Sequence, residues 1–324
     1  MSDQPMIEIT LDGAPRTIEA GITGALLLQD AVKKDGVVAM RVNGEPWDLE
    51  RQVPAGAVVE PITLASEDGL NILRHSATHV MAQAVQEMFP DVNLGIGPFI
   101  TDGFYYDFGA IDAVTPEMLR EIEKRMKRIV KEGQRFVRRD ITEDQGREEL
   151  ADQPYKLELI TTKGAGAEGA SVEVGAGGLT MYDNVRRDGT VAWTDLCRGP
   201  HLPSTRLIGQ GFALTKSSSA YWKGDQSGDS LQRIYGTAWA TKDDLKAYQT
   251  RLAEAAKRDH RKLGAELDLY SFPEEIGPGL VVFHPKGAML RHQIEQYVVD
   301  RHQDYGFDFV HTPEISKGGL FHTS

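Results

Sequence analysis

Apolar and polar residues alternate with the two-residue period of β-strands at the start of the chain. Residues 6–11 show this alternation and are followed by Asp12-Gly13, a typical hairpin turn. Residues 23–34 repeat apolar side chains at helical spacing. Three more strands are predicted at residues 37–42, 45–49 and 58–64. Residues 1–65 are therefore expected to form a ββαβββ module, an order that suggests a ubiquitin-like β-grasp fold.

Helical spacing dominates the next segment, which we assign to residues 66–240. Helices are predicted at residues 70–88 and 116–132. A Gly/Ala-rich stretch at residues 164–178 is expected to be a mobile surface loop or insertion. Together these features predict a second, larger α+β domain after the first module.

Two further segments complete the prediction. Residues 241–264 are expected to form a connecting helix that Thr241 helps to cap. Residues 265–324 contain a predicted helix at 287–305 and a predicted strand at 307–312. A helix and one strand cannot bury a core alone, so this segment is expected to be the start of a third, truncated domain. The fold class predicted for the chain is α+β.

Charge changes this picture only locally. The 324 residues carry a formal net charge of −12, which argues weakly against a nucleic-acid partner. Residues 120–139 nevertheless hold nine basic and three acidic side chains. Such a segment is either a phosphate-binding face or a solvated helix face with ion pairs four residues apart. The pairs Glu121–Arg125 and Glu123–Lys127 favour the second interpretation.

Composition also bears on where the protein works. Cys197 is the only cysteine, so no internal disulfide can form and a reducing compartment, the cytoplasm, is expected. No apolar run approaches the ~18 residues of a membrane-spanning helix. The first ten residues lack the basic start of a secretory signal, so neither membrane insertion nor secretion is expected.

Two short motifs carry the candidate chemistry. His75 and His79 are four residues apart on a predicted helix, so both imidazoles face the same side. Cys197 and His201 are four residues apart in a segment that a Gly-Pro pair bends. These residue types could bind zinc tetrahedrally, form an acid/base pocket, or pack as a histidine pair beside an inert cysteine. The presence of two such motifs in one domain favours a functional site.

At these motifs and several others the chain closely resembles bacterial-type threonyl-tRNA synthetases. Besides the two motifs, the matching segments are Gly103-Phe104-Tyr105-Tyr106-Asp107-Phe108, Pro154-Tyr155-Lys156, Asp195-Leu196-Cys197-Arg198-Gly199-Pro200-His201, Leu231-Gln232-Arg233-Ile234-Tyr235-Gly236-Thr237-Ala238-Trp239, Arg258-Asp259-His260-Arg261-Lys262-Leu263-Gly264 and Leu267-Asp268-Leu269-Tyr270. The resemblance implies a β-grasp TGS domain and an α+β editing domain, followed by a linker helix and the motif 1 region of a class II catalytic domain with an antiparallel sheet. The implied boundaries are 1–65, 66–240, 241–264 and 265–324.

The resemblance also implies an activity. A synthetase that selects threonine must reject serine, and one missing methyl group supplies only ~10–200-fold discrimination. Editing domains of this family hydrolyse the serine ester of tRNA(Thr). The residues that correspond to the surroundings of that ester are His75, His79, Lys156, Asp195, Cys197 and His201.

Individual roles follow from the same resemblance and from the needs of ester hydrolysis. Lys156 would activate water or stabilise an oxyanion, although it could also be a plain surface lysine. Asp195 would orient a histidine or bind the substrate amine. His75 would transfer a proton or hold the terminal ribose.

Cofactors and partners are implied as well. We favour an editing site without metal, with zinc on His75, His79, Cys197 and His201 as the alternative. ATP, Mg²⁺ and a catalytic-domain zinc are expected only in the full-length family enzyme, a homodimer through motif 1, so this chain alone is not expected to aminoacylate tRNA. The expected partner is the 3′ acceptor end of tRNA(Thr). Two other interpretations stay open: a freestanding zinc-dependent aminoacyl-tRNA deacylase, and a non-enzymatic RNA-binding or regulatory fragment.

Overall fold

A computed structural model describes residues 5–162, 178–315 and 318–322. The chain divides into two compact units, Met1–Tyr248 and Gln249–Ser324. Residues 164–177 of the stretch expected to be a loop lie outside the described residues. Helices and several separate sheets occur along the chain, which confirms the α+β class.

The first module is a five-stranded sheet with two short helices. Its elements are β1 (Met6–Leu11), β2 (Ala14–Glu19), α1 (Gly24–Leu27), α2 (Gln29–Asp35), β3 (Val37–Val42), β4 (Glu45–Trp47) and β5 (Val58–Thr63). The strand order is β2-β1-β5-β3-β4, and only β1 and β5 pair in parallel. The hairpin turns Asp12-Gly13 and Asn43-Gly44 have the positive φ angles that tight turns require. The single helix expected at residues 23–34 is divided, because Leu28 leaves the helical conformation.

The rest of the first unit wraps two sheets around a long helix. Its helices are α3 (Glu67–Met88), α4 (Pro116–Glu132), α5 (Glu143–Glu149) and α6 (Pro154–Thr162). Its strands are β6 (Asn93–Leu94), β7 (Phe99–Ile100), β8 (Gly103–Gly109), β9 (Arg135–Ile141), β10 (Leu179–Val185), β11 (Val191–Leu196), β12 (Phe212–Tyr221) and β13 (Ser230–Ala238). One sheet has the order β11-β10-β9, and the other has the order β12-β13-β8-β6 with β7 on β8.

Helix α3 is the central element of this region. It begins after Ser66, whose hydroxyl accepts a hydrogen bond from the Gly69 N–H at 3.1 Å. From Ile72 to Val85 every side chain is buried, so the helix is enclosed on all sides rather than on one stripe. Among the described residues, no helix combines the length and the apolar composition that crossing a membrane requires.

Helix α4 is amphipathic. Thr115 caps its first turn, and it ends at Gly133, which has a left-handed φ of 68°. Its cations pair mainly with acids on the same helix: Arg125 with Glu121 at 3.6 Å and Lys127 with Glu123 at 2.6 Å. These are the two pairs expected from the sequence, and they confirm a solvated, ion-paired face.

The second unit begins within α7 (Lys242–Lys257) and continues with α8 (His260–Glu266), β14 (Tyr270–Ser271), β15 (Val282–Phe283) and α9 (Pro285–Asp304). The single helix expected over 241–264 is interrupted, because Asp259 caps a new helix by accepting a hydrogen bond from the Arg261 N–H. The predicted long helix is confirmed as α9. The strand predicted at residues 307–312 is wrong: this segment pairs with neither β14 nor β15, and without a neighbouring strand its alternation cannot form a ladder.

Candidate active site

The two predicted motifs meet at one point inside the first unit. His75 and His79 project from α3, one turn apart, with ring centroids separated by 5.4 Å. Cys197 follows the last residue of β11, and His201 follows after a turn. One ligand atom from each of the four residues lies within 4.8 Å of the other three, and all four side chains are buried.

The turn between Cys197 and His201 depends on glycine. Gly199 has a φ of 70°, a region that disfavours residues with a Cβ. A Cβ at this position would also overlap the hydroxyl of Tyr182. The backbone N–H of Gly199 donates to the Cys197 sulfur at 3.2 Å, which fixes the thiol at the mouth of the turn.

The cluster is joined by short polar contacts. The Cys197 Sγ lies 3.3 Å from the Nε2 atoms of both His75 and His201. The Ser76 Oγ lies 3.1 Å from Nδ1 of His201 and accepts a hydrogen bond from the Leu202 N–H at 3.0 Å. These contacts hold both nitrogens of His201 and orient its ring.

Burial keeps the imidazoles neutral. The pKa of His75 is lowered to about 4, chiefly by burial and also by the Lys156 charge, while a hydrogen bond from the ring to the Pro200 backbone carbonyl opposes the shift. The pKa values of His79 and His201 lie well below their usual range, again chiefly because of burial. At neutral pH all three rings can therefore accept a proton or a metal ion.

A second buried group carries the charge of this region. The Lys156 ammonium on α6 lies 2.9 Å from Oδ1 of Asp195 on β11, and both side chains are fully buried. The Tyr106 hydroxyl donates to Oδ2 of Asp195 at 2.7 Å. Burial raises the pKa of the Asp195 carboxyl, while Lys156 and Tyr106 oppose that rise. Lys156 is therefore not a surface lysine, and a buried pair of this kind is a frequent mark of a functional site.

The four-residue cluster fits a zinc ion by its chemistry. Three neutral imidazoles and one thiol form a donor set that zinc prefers. The 3.3 Å separations from sulfur to nitrogen are close to the roughly 3.5 Å edge of a tetrahedral site with the usual zinc bond lengths. Buried Nδ1 of His79 has no hydrogen-bond partner among the described residues, so it has a lone pair or proton to offer.

Sequence reasoning missed several neighbours of the cluster. Asp48, which follows β4, accepts hydrogen bonds from the His201 backbone N–H at 2.9 Å and from the Tyr182 hydroxyl at 2.6 Å. No local pattern marks Asp48 because its partners lie more than a hundred residues away. Tyr106 lies in the segment 103–108 quoted above, and its position in an apolar strand is the sequence signal that it is buried.

Comparison with known protein families agrees with this geometry. Residues 178–235, which include Asp195, Cys197 and His201, match the second additional domain of threonyl and alanyl tRNA synthetases. The class of protein that fold and site define is thus the aminoacyl-tRNA synthetases that carry this additional domain.

Whole-chain comparison is more specific. Threonine–tRNA ligase of Cutibacterium acnes is 71% identical over 98% of this chain and 47% of its own length. The threonine–tRNA ligases of Pseudarthrobacter chlorophenolicus and Thermobifida fusca are each 57% identical over the whole chain and 49% of their own length. The chain belongs to the threonyl-tRNA synthetase family and corresponds to its N-terminal part. It spans about half the length of the curated relatives it matches.

Proposed function

We propose that this chain is the editing portion of a threonine–tRNA ligase and hydrolyses the ester that links serine to the 3′ end of tRNA(Thr). The observation that carries this proposal is the fully buried Lys156–Asp195 pair, whose Lys156 charge acts on His75 and His79 of the neutral cluster. Ester hydrolysis requires a proton acceptor and positive charge near a developing oxyanion, and the site contains both.

Access to the surface distinguishes the roles of the cluster residues. Of the four cluster residues, His75 is the one that lines an open cleft of about 470 Å³. His75 therefore faces the ester, accepts the proton of the attacking water and returns it to the ribose oxygen as the ester C–O bond breaks. Lys156, oriented by Asp195, supplies the positive charge that stabilises the tetrahedral intermediate in a low-dielectric interior. Asp195 in turn is held by Tyr106.

His79, Cys197 and His201 form the support behind His75. They contact its ring and exclude water from that side, and they are also the residues that would hold zinc together with His75. A bound zinc ion would polarise the ester and the water. The proposed reaction uses the side chains alone, as the resemblance to threonyl-tRNA synthetases implies, although the same contacts also fit a zinc ion.

The remaining parts of the proposal follow the family. The sheet order of residues 1–65 supports a β-grasp TGS domain, and the apolar side chains Met289, Leu290 and Ile294, exposed on α9 within its own unit, support a motif 1 helix that pairs with a second copy. Residues 66–240 would be the editing domain, 241–264 the linker and 265–324 the start of the catalytic domain. Threonine activation with ATP is assigned to the part of the family enzyme beyond this chain.

Single-turnover hydrolysis of Ser-tRNA(Thr) and Thr-tRNA(Thr) by the purified chain tests the proposal. The serine ester is expected to be hydrolysed faster, because the extra methyl of threonine crowds the ester or displaces the attacking water. Equal rates for the two esters, or no hydrolysis of either, would refute the proposal.

A zinc-dependent deacylase is the second candidate, and the donor set of the cluster favours it. Chelator-treated protein separates the two: we expect undiminished hydrolysis and an unchanged melting temperature, with Cys197→Ser only mildly slower. Loss of both after chelation, with recovery on adding Zn²⁺, would assign the reaction to the metal.

A further inference from the structure

The cleft that reaches His75 has a wall made by the N-terminal module. On one side it is lined by β4 and the segment after it, including Trp47 and Arg51. On the other side lie Asn71 and His75 of α3, one turn apart on the same face. The first module is therefore a part of the candidate active site.

A second cavity, of about 520 Å³, shares Trp47 and Arg51 in its lining with the first cleft. It is lined by Arg135, Phe136 and Arg138 of β9 and again by Trp47 and Arg51. The Arg51 guanidinium lies over the Trp47 ring, 3.3 Å from its centroid. The stacked pair, which we call the Trp47–Arg51 stack, is thus a shared wall of two adjoining cavities.

The charge of Arg51 is available for a ligand. Among the described residues no carboxylate lies within ion-pairing distance of its guanidinium. Arg138 on the neighbouring strand has its own partner, since it donates two hydrogen bonds of 2.8 Å to Asp140. Burial lowers the pKa of Arg51, and the Arg138 charge acts in the same direction, whereas Asp48 and Asp140, which also line the second cavity, oppose the shift. Asp68, an acid of the first cleft, is paired with Arg41.

We propose that the Trp47–Arg51 stack binds the single-stranded 3′ end of an RNA, with Arg51 on the phosphate that precedes the nucleotide placed at His75. Guanidinium groups match phosphate oxygens, and aromatic rings beside cations are typical of sites that bind single strands. Two adjoining cavities suit two successive nucleotides on either side of one phosphate. The assignment of the ester to His75 rests on the proposed function, whereas the RNA contact is tested without it.

Binding of a short single-stranded RNA that ends in CCA and carries no amino acid measures this contact directly. Fluorescence anisotropy with the full chain would compare wild type with Arg51→Met, which removes the charge and keeps the apolar stem. Affinity is expected to fall about tenfold, as for loss of one charge-assisted hydrogen bond. The slope of log affinity against log salt is expected to become shallower by about 0.7, the value for one phosphate contact on a single strand.

Matched variants keep the test decisive. Arg51→Lys is expected to retain the salt slope, and Trp47→Leu to weaken binding without changing that slope. Arg120→Met is the control, because Arg120 is an exposed α4 cation paired with Glu117, and it is expected to bind RNA as wild type does. If Arg51→Met lowers the melting temperature, Arg51→Gln supplies the same loss of charge.

The outcomes separate this inference from the proposed function. Equal RNA affinity and salt slope in wild type and Arg51→Met would overturn the inference even if the serine ester is hydrolysed. Competition by inorganic phosphate at a concentration equal to that of the RNA phosphate groups would mean that the site binds any anion, and it would also overturn the inference. Arg51-dependent RNA binding without ester hydrolysis would support the inference and refute the proposed function. When both hold, Arg51→Met is expected to raise KM for the serine ester more than it lowers the rate at saturation.

Discussion

Helices α3 and α4 pack against each other in the first unit, yet they use their side chains in opposite ways. Helix α4 has most of the charge of its region, and that charge is balanced by acids one turn away and remains in solvent. Helix α3 has few charges but holds the buried side chains of His75 and His79, and burial is the main cause of their lowered pKa values. The basic side chains of α4 form ion pairs on an exposed face, whereas the proposed chemistry lies on a helix with few charged residues.

The largest change in stability is expected from breaking the buried ion pair between Lys156 and Asp195. Lys156→Ala leaves Asp195 buried without its cation, which is expected to lower the free energy of unfolding by about 3–5 kcal/mol. Lys127→Ala on α4 is the matched control, and because the Lys127 side chain is largely exposed we expect a change below about 0.5 kcal/mol. Urea unfolding of both variants measures the difference. Similar small losses in both variants would contradict the distinction between a buried and an exposed ion pair.

Acid should weaken the fold through the neutral histidines. The pKa of His75 is about 4 in the folded chain and about 6.5 when unfolded, so between these values the unfolded state binds the proton. Stability is expected to fall as pH decreases through this window, by about 3 kcal/mol for His75 alone. The buried carboxyls of Asp48 and Asp195 have raised pKa values. Their protonation therefore stabilises the folded chain as pH decreases, which opposes the effect of the histidines.

A variant isolates the contribution of His75. Chelator-treated His75→Gln should lose less stability than wild type between pH 7 and pH 4, whereas His292→Gln, at an exposed position on α9, should behave as wild type. Urea unfolding at several pH values gives the comparison. An identical pH dependence in wild type and His75→Gln would contradict the burial argument.

Removing the contact from the first module should have a smaller effect. Asp48→Ala leaves the His201 N–H and the Tyr182 hydroxyl without their acceptor, at a cost of about 2 kcal/mol. Asp48→Asn keeps an oxygen toward His201 and is expected to recover much of the loss. Thermal melts and single-turnover rates of the two variants should fall in the same order. A fully stable and fully active Asp48→Ala would mean that the first module does not position His201.

Prediction from sequence succeeded where the signal was local. Helices α3, α4 and α9 follow from apolar spacing, and the turns at Asp12-Gly13 and Asn43-Gly44 follow from backbone preference. The strand at residues 307–312 failed because a strand depends on a neighbour that periodicity does not reveal. The break at Asp259 was hidden because residues typical of helices continue on both sides of the cap.

Local signals also decided which features of the candidate site could be predicted. The four cluster residues were found because each pair repeats at a spacing of four, and the fold does bring the two pairs together. The burial of Lys156 and the contact of Asp48 with His201 could not be predicted from the sequence, since both depend on which distant segments pack against each other. Family resemblance supplied Lys156, but only the fold shows that it is enclosed.

The proposed function assigns the chemistry to the buried residues and not to the basic helix. Single-turnover hydrolysis of Ser-tRNA(Thr) by wild type, His75→Ala, Lys156→Ala and Lys127→Ala tests this claim most directly, with circular dichroism confirming that each variant is folded. We predict that His75→Ala and Lys156→Ala slow the step by ~10²–10⁴-fold, the usual contribution of a positioned acid/base group, and that Lys127→Ala matches wild type. Full activity in a folded Lys156→Ala, or a loss in Lys127→Ala of the same size, would contradict the account.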